Sequence, residues 1–219
     1  FDWVAGQMTD TGKTVFTNAA TVNFSSAALK AWRQRTLENY TTVTYSGGGL
    51  YADLGGLWNN LGGATFNLTG DFGITYYGAG SFATFNNTGA VRKSAGSGVA
   101  SLQLIVNNNG GVQAHAGFLS LDGGGASTGW FQANASCTNN FGGLTHTLLA
   151  GARCEGAGLF EVAQNYTAAT LAFQAPLTLT NRFLLHNGGT LAGTNTVVFA
   201  GPFDWVAGQM TDTGKTVFT

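Results

Sequence analysis

Six segments of the chain repeat one pattern, and its spacing restricts the fold more than any other feature. They are FTNAATVNF from Phe16, LENYTTVTY from Leu37, WNNLGGATF from Trp58, FNNTGAVRK from Phe85, VNNNGGVQA from Val106 and LHNGGTLAG from Leu185. Each opens on a large apolar residue and places an asparagine two residues later, giving Asn18, Asn39, Asn60, Asn87, Asn108 and Asn187. The first four intervals between these asparagines are 21, 21, 27 and 21 residues. A helical repeat would set apolar residues three and four apart on strong helix formers. These segments instead alternate with period two and are rich in Thr, Val, Phe and Gly, which predicts strands. The residues four and six after each asparagine share one side: Val22 with Phe24, Val43 with Tyr45, Ala64 with Phe66, Val91 with Lys93 and Val112 with Ala114. Lys93 breaks the apolar rule on that side.

A strand signature returning every twenty residues or so, with glycine-rich corners and two prolines in the chain, predicts an all-β solenoid. In such a fold each coil lies on the last through parallel strands. The asparagines are then stacked, each side chain bonding to its equivalent one coil away.

A longer repeat encloses the short one. The first seventeen residues, FDWVAGQMTDTGKTVFT, return unchanged at 203–219, a period of 202 residues. The expectation is one solenoid unit over 1–202, with 203–219 the start of the next identical unit and no linker between them. About ten coils fit in one unit, which at roughly 4.8 Å per coil is on the order of 48 Å long. Phe218 is expected to stand where Phe16 stands.

Composition narrows the functional classes. Charged residues are 9% of the chain, against about 25% in an ordinary domain. Nine basic residues and a net charge of −1 give no surface suited to nucleic acid or an anionic bilayer. No apolar run approaches the eighteen residues of a membrane span.

The run from Phe85 to Gly125, with FxNxGxV at Phe85–Val91 and GxLxL at Gly117–Leu121, resembles the Asn/Gly-rich right-handed parallel β-helix repeats of very large secreted bacterial proteins. These include adhesin-like and autotransporter-passenger-like chains. The resemblance is clear over roughly 12–125 and again near Leu185. It implies a right-handed helix and an extracellular or cell-surface protein with an adhesive, matrix or coat role.

Chemistry is sparse. The eight acidic residues of one period include one pair close in sequence, Glu155 and Glu161, as the best candidate for the paired carboxylates of a glycosidase. His115, His146 and His186 are scattered, and no metal or cofactor site is expected. Cys137 and Cys154 fall seventeen apart in similar contexts, so they are either a disulfide between stacked neighbours or two buried thiols. The stretch LKAWRQRTLEN gathers Lys30, Arg33 and Arg35 around Trp32. It reads as a solvated excursion, a short helix or arm at one edge, or else as a binding patch for sugar acids or a neighbouring filament. Six Asn-x-Ser/Thr sequons occur, at Asn23, Asn39, Asn67, Asn86, Asn134 and Asn165. Together these features favour a non-enzymatic structural protein whose tandem units join into a long extracellular fibre, filament or coat. Its partners would be further units of itself, packed in line and side by side, and a surface polysaccharide. An adhesin stalk is the alternative, and a carbohydrate-active enzyme the third reading.

Overall fold

A computed structural model describes residues 1–163 and 168–219. Thirty-one strands, from β1 (Asp2–Trp3) to β31 (Lys215–Phe218), are present among the described residues, and no helix. The LKAWRQRTLEN stretch therefore forms neither helix nor arm. Lys30–Arg33 and Thr36–Asn39 are two strands of the second coil, because alternate residues there, Lys30, Trp32, Leu37 and Asn39, turn inward and are fully buried.

With one break on the first face, each strand pairs in parallel with the strand three places later, so the chain winds as a three-faced solenoid of about ten coils. The first face begins at β1 and runs through eight strands to β22 (Arg153–Glu155). The three-stranded sheet of β25 (Leu177–Leu179), β28 (Thr196–Phe199) and β31 carries it on. Ten strands make the second face, from β2 (Gly6–Met8) to β29 (Phe203–Trp205). Ten more make the third, from β3 (Lys13–Phe16) to β30 (Gln209–Met210).

Period-two alternation drives this arrangement. In Thr42–Tyr45, Val43 and Tyr45 are fully buried while Thr42 and Thr44 face outward. In-register stacking then places like side chains above one another, and the core is a column of rings. Trp58 lies 4.9 Å from Phe66, 5.4 Å from Phe85 and 5.7 Å from Trp32. Each fully buried ring stabilises the fold by roughly 1.5–3 kcal/mol, and each ring pair adds about 0.5–1.5 kcal/mol.

Register also shows where residue counting from the asparagines slips. The inward column of the first face runs Val22, Val43, Phe66, Val91, Val112, Phe131, Cys154. The column ending each strand of the third face runs Phe16, Asn39, Asn60, Asn87, Asn108, Ser127, Leu148, Phe173, Gly193. Most corners between them take four residues, as from Asn39 to Val43. Those from Phe16 to Val22, Asn60 to Phe66 and Leu148 to Cys154 take six. In the third segment the inward pair aligned with Val43 and Tyr45 is accordingly Phe66 and Leu68, two residues beyond the expected one. In the shorter corners glycines stack. A Cβ on Gly110 would lie 2.1 Å from the Gly89 carbonyl oxygen, and one on Gly129 2.2 Å from that of Gly110, so only glycine fits.

Candidate functional site: the stacking column and the repeated ends

Four of the six predicted asparagines meet in one buried ladder. The amide nitrogen of Asn39 donates to Asn60 Oδ1 at 2.8 Å, that of Asn60 to Asn87 Oδ1 at 2.7 Å, and that of Asn87 to Asn108 Oδ1 at 2.8 Å. The second hydrogen of each amide serves a corner carbonyl one coil on, at Thr65, Ala90 and Gly111. All four side chains are at most 1% exposed, so each rung satisfies groups that burial would otherwise penalise.

Asn18 and Asn187 are not part of it. Phe16 holds the ladder position below Asn39, and Asn18 is exposed in the longer corner that follows. Its placement four residues before Val22 matched the pattern only because that corner has two extra residues. Asn187 is exposed in the corner between Arg182–Leu185 and Gly189–Gly193, which joins the second face to the third.

A second, outward ladder escaped the sequence reading. Asn107 donates to Asn86 at 3.0 Å and Asn86 to Asn59 at 3.1 Å, toward earlier coils, whereas the inner ladder donates toward later ones. The doublets Asn59–Asn60, Asn86–Asn87 and Asn107–Asn108 were its signal, since neighbouring strand residues point to opposite sides. Of the sequons, Asn39 is buried in the inner ladder and Asn86 is engaged in the outer one, while Asn165 lies outside the described residues.

Lys93 takes an inward position in register with Leu68 and Ala114. Its stem fills core volume, and Nζ reaches the corner between the first and second faces. There it donates to Asp71 Oδ1 and to the carbonyls of Ala95 and Gly96, each at 2.8 Å. Lys93 holds the Asp71 carboxyl below its usual range. Lys30 does the same from the other side of that corner, donating to the carbonyls of Ala28 and Gly47 at 3.0 Å and of Ser26 at 3.3 Å. Burial lowers its pKa. Tyr45 completes the set, with its hydroxyl 2.6 Å from the Gly48 carbonyl. The expected basic patch is therefore dispersed: Lys30 and Trp32 are buried, Arg33 is paired with Asp53 at 2.6 and 2.9 Å, and Arg35 binds Thr14 Oγ1 at 2.8 Å.

The other candidates do not converge either. Glu155 lies on the first face beside Arg153. Glu161 lies on the second, where burial raises its pKa against the opposing pull of His186, whose Nε2 is 3.1 Å away. His115 contacts Gln132. His146 sits in the core between the Phe131 and Phe141 rings, with Nε2 2.7 Å from Ser127 Oγ, and burial lowers its pKa to about 4. This buried Ser–His pair is closed to any substrate. No cluster of three potential metal ligands occurs among the described residues. Cys137 and Cys154 are free thiols on different faces: Cys154 stacks on Phe131, whereas Cys137 precedes the strand Thr138–Phe141. They are not stacked neighbours, so no disulfide forms. Burial, with a smaller push from Glu155, raises the Cys154 pKa to about 12.

The two copies of the seventeen-residue segment adopt the same local coil. Gly6 and Gly208 have φ of 92° and 91°, Asp10 and Asp212 66° and 68°. The Phe1–Phe16 ring contact of 5.7 Å recurs as Phe203–Phe218 at 4.9 Å. Yet they occupy different faces. Asp2–Trp3 lies on the first face, Gly6–Met8 on the second and Lys13–Phe16 on the third, while Phe203–Trp205, Gln209–Met210 and Lys215–Phe218 lie on the second, third and first. Phe218 therefore stacks on Phe199 of the first face and not on the face of Phe16. From β1 to β29 is 28 strands, so the expected ten or so coils of the 202-residue period are nine coils and one face. Comparison with protein-family models, curated proteins and solved structures finds no match to this chain, and its function has to be read from its own residues.

Proposed function

We propose that the chain is one link of a tandem-repeat β-solenoid that serves outside the cell as a structural fibre, filament or coat, without enzymatic activity. One observation carries this reading: the seventeen residues 1–17 return unchanged at 203–219, and both copies wind as the same coil within one in-line solenoid, with φ of 92° and 91° at Gly6 and Gly208 and the Phe1–Phe16 ring contact recurring as Phe203–Phe218. A coil repeated at a fixed period inside a parallel stack is the signature of tandem solenoid units. The family resemblance favours the extracellular setting, and the separation of Glu155 and Glu161 onto different faces favours a non-enzymatic role.

Such a fibre has a specific symmetry. Each unit advances nine coils and one face, about 45 Å at roughly 4.8 Å per coil. Each unit is therefore turned by a third of the cross-section relative to the last, in addition to the solenoid's own twist. Mass measurement of the native polypeptide and helical reconstruction of its filaments test this. Many covalent units with an axial repeat near 45 Å are expected, and a native chain of one unit without filaments would refute the proposal.

A further inference from the structure

The second face carries a small cleft, and its shape follows from register. Along the strand Lys30–Arg33 and the residue before it, Leu29, Ala31 and Arg33 point outward. Across the sheet, Ala31 is in register with Gln7 of the coil below and Tyr51 of the coil above. Four long side chains thus surround one methyl group, and the step left at Ala31 is a half-open cavity of about 190 Å³ lined by Gln7, Leu29, Ala31, Arg33, Tyr51 and Tyr77.

The walls are aromatic. Tyr77 is 62% exposed, and its ring centroid lies 4.7 Å from that of Tyr51. The Arg33 guanidinium leans over Tyr77 at 5.9 Å. Asp53, fully buried, takes Nε and Nη2 of Arg33. That pairing fixes the guanidinium, balances its charge and leaves Nη1 unused by Asp53. Gln7 and the two tyrosine hydroxyls make no side-chain hydrogen bond among the described residues, so the rim offers both donors and acceptors.

We propose that this cleft binds one ring of a neutral glycan. A pyranose has apolar C–H faces that pack on tyrosine rings, and a hydroxyl edge that suits an amide, a guanidinium and phenols. The cavity is smaller than the roughly 300–1,000 Å³ of drug-sized pockets, which fits a single ring of a longer chain. Neutrality follows from Asp53, because a sugar acid would have to compete with it for Arg33. The site needs neither the second copy of the seventeen-residue segment nor any fibre, and it stands if the chain proves to act alone.

Isothermal titration of the 219-residue chain with short neutral hexose oligosaccharides (gluco-, manno- and galacto-configured), and with oligogalacturonate as the acidic counterpart, tests the site. One-to-one binding of a neutral series is expected. Tyr77→Ala, at an exposed ring, should weaken it by about tenfold, the scale of one lost stacking contact. Ala31→Leu should abolish it by filling the floor, and Gln7→Ala, fully on the surface, should weaken it without affecting folding. A circular dichroism spectrum and melting temperature unchanged in Tyr77→Ala and Gln7→Ala separate lost contact from lost fold. Absence of binding to every neutral series, preference for oligogalacturonate, or equal binding by wild type and both surface variants would overturn the proposal.

Discussion

The column that closes the third face changes character halfway along the solenoid. From Asn39 to Asn108 it is a chain of amides, each donating to the next. From Leu148 to Gly193 the same column is apolar, with Leu148 and Phe173 inside the core. Ser127 stands between, in register with both Asn108 and Leu148, and turns its hydroxyl to His146. On the second and third faces the backbone ladders run on through both halves, so the amides do not create the coil. They fix its register, because an amide displaced by one residue would leave several buried polar groups unpaired. The apolar half achieves the same stacking by volume alone, with less to distinguish one register from another.

That difference can be broken directly. Replacing Asn87 by Leu removes both rungs at the middle of the ladder and strands the Asn108 carbonyl oxygen. A loss of about 3–4 kcal/mol is expected in urea unfolding, and a change below about 1 kcal/mol would show that the ladder contributes little beyond packing. In the apolar half the sensitive group is His146. Its folded pKa of about 4 lies below an unfolded value near 6.5. The native state therefore favours the neutral ring, and stability present above pH 6.5 is lost as pH falls toward 4, by about 3 kcal/mol in all. Unfolding measured from pH 7 to 4 should show this slope, and His146→Leu, matching Leu171 and Leu191 in its own column, should flatten it.

Smaller effects sharpen the contrast. Lys93→Met keeps the stem but leaves the carbonyls of Ala95 and Gly96 unpaired. Asp71 is 45% exposed and can take water instead, so the expected loss in thermal unfolding is about 1–2 kcal/mol. At the low end, a reducing agent should leave the melting temperature unchanged, since Cys137 and Cys154 are unlinked. A downward shift would mean a bridge the structure does not contain.

The same division explains what could be read in advance. Strand type, parallel stacking and the coil period were legible because asparagine, valine and phenylalanine recur at one spacing in the amide half. Beyond Trp130 that recurrence fails, because Leu148 and Phe173 replace the marker residue and any apolar residue serves equally well. Asn18 misled because a corner of six residues looks like a strand start displaced by two. The lysines were opaque for another reason: a buried ammonium answers to corner carbonyls contributed by the backbone, which no side-chain pattern records. The cleft at Ala31 was hidden because it is defined by residues 24 and 20 positions apart, related only through register. The carboxylate pair Glu155 and Glu161 was close in sequence yet divided by a corner, since in a three-faced coil six residues suffice to change face.

The one-face step between the two copies bears on mechanics. A triangular rod with a soft side would bend toward that side, and identical units stacked in phase would add their bias into a permanent curl. Turning each unit by a third of the cross-section spreads any soft side evenly round the axis every three units, as the lay of a rope does for its strands. Units joined in this way would make a straight cable of equal stiffness in all directions, and wherever it lay on a surface, one unit in three would present a given face downward.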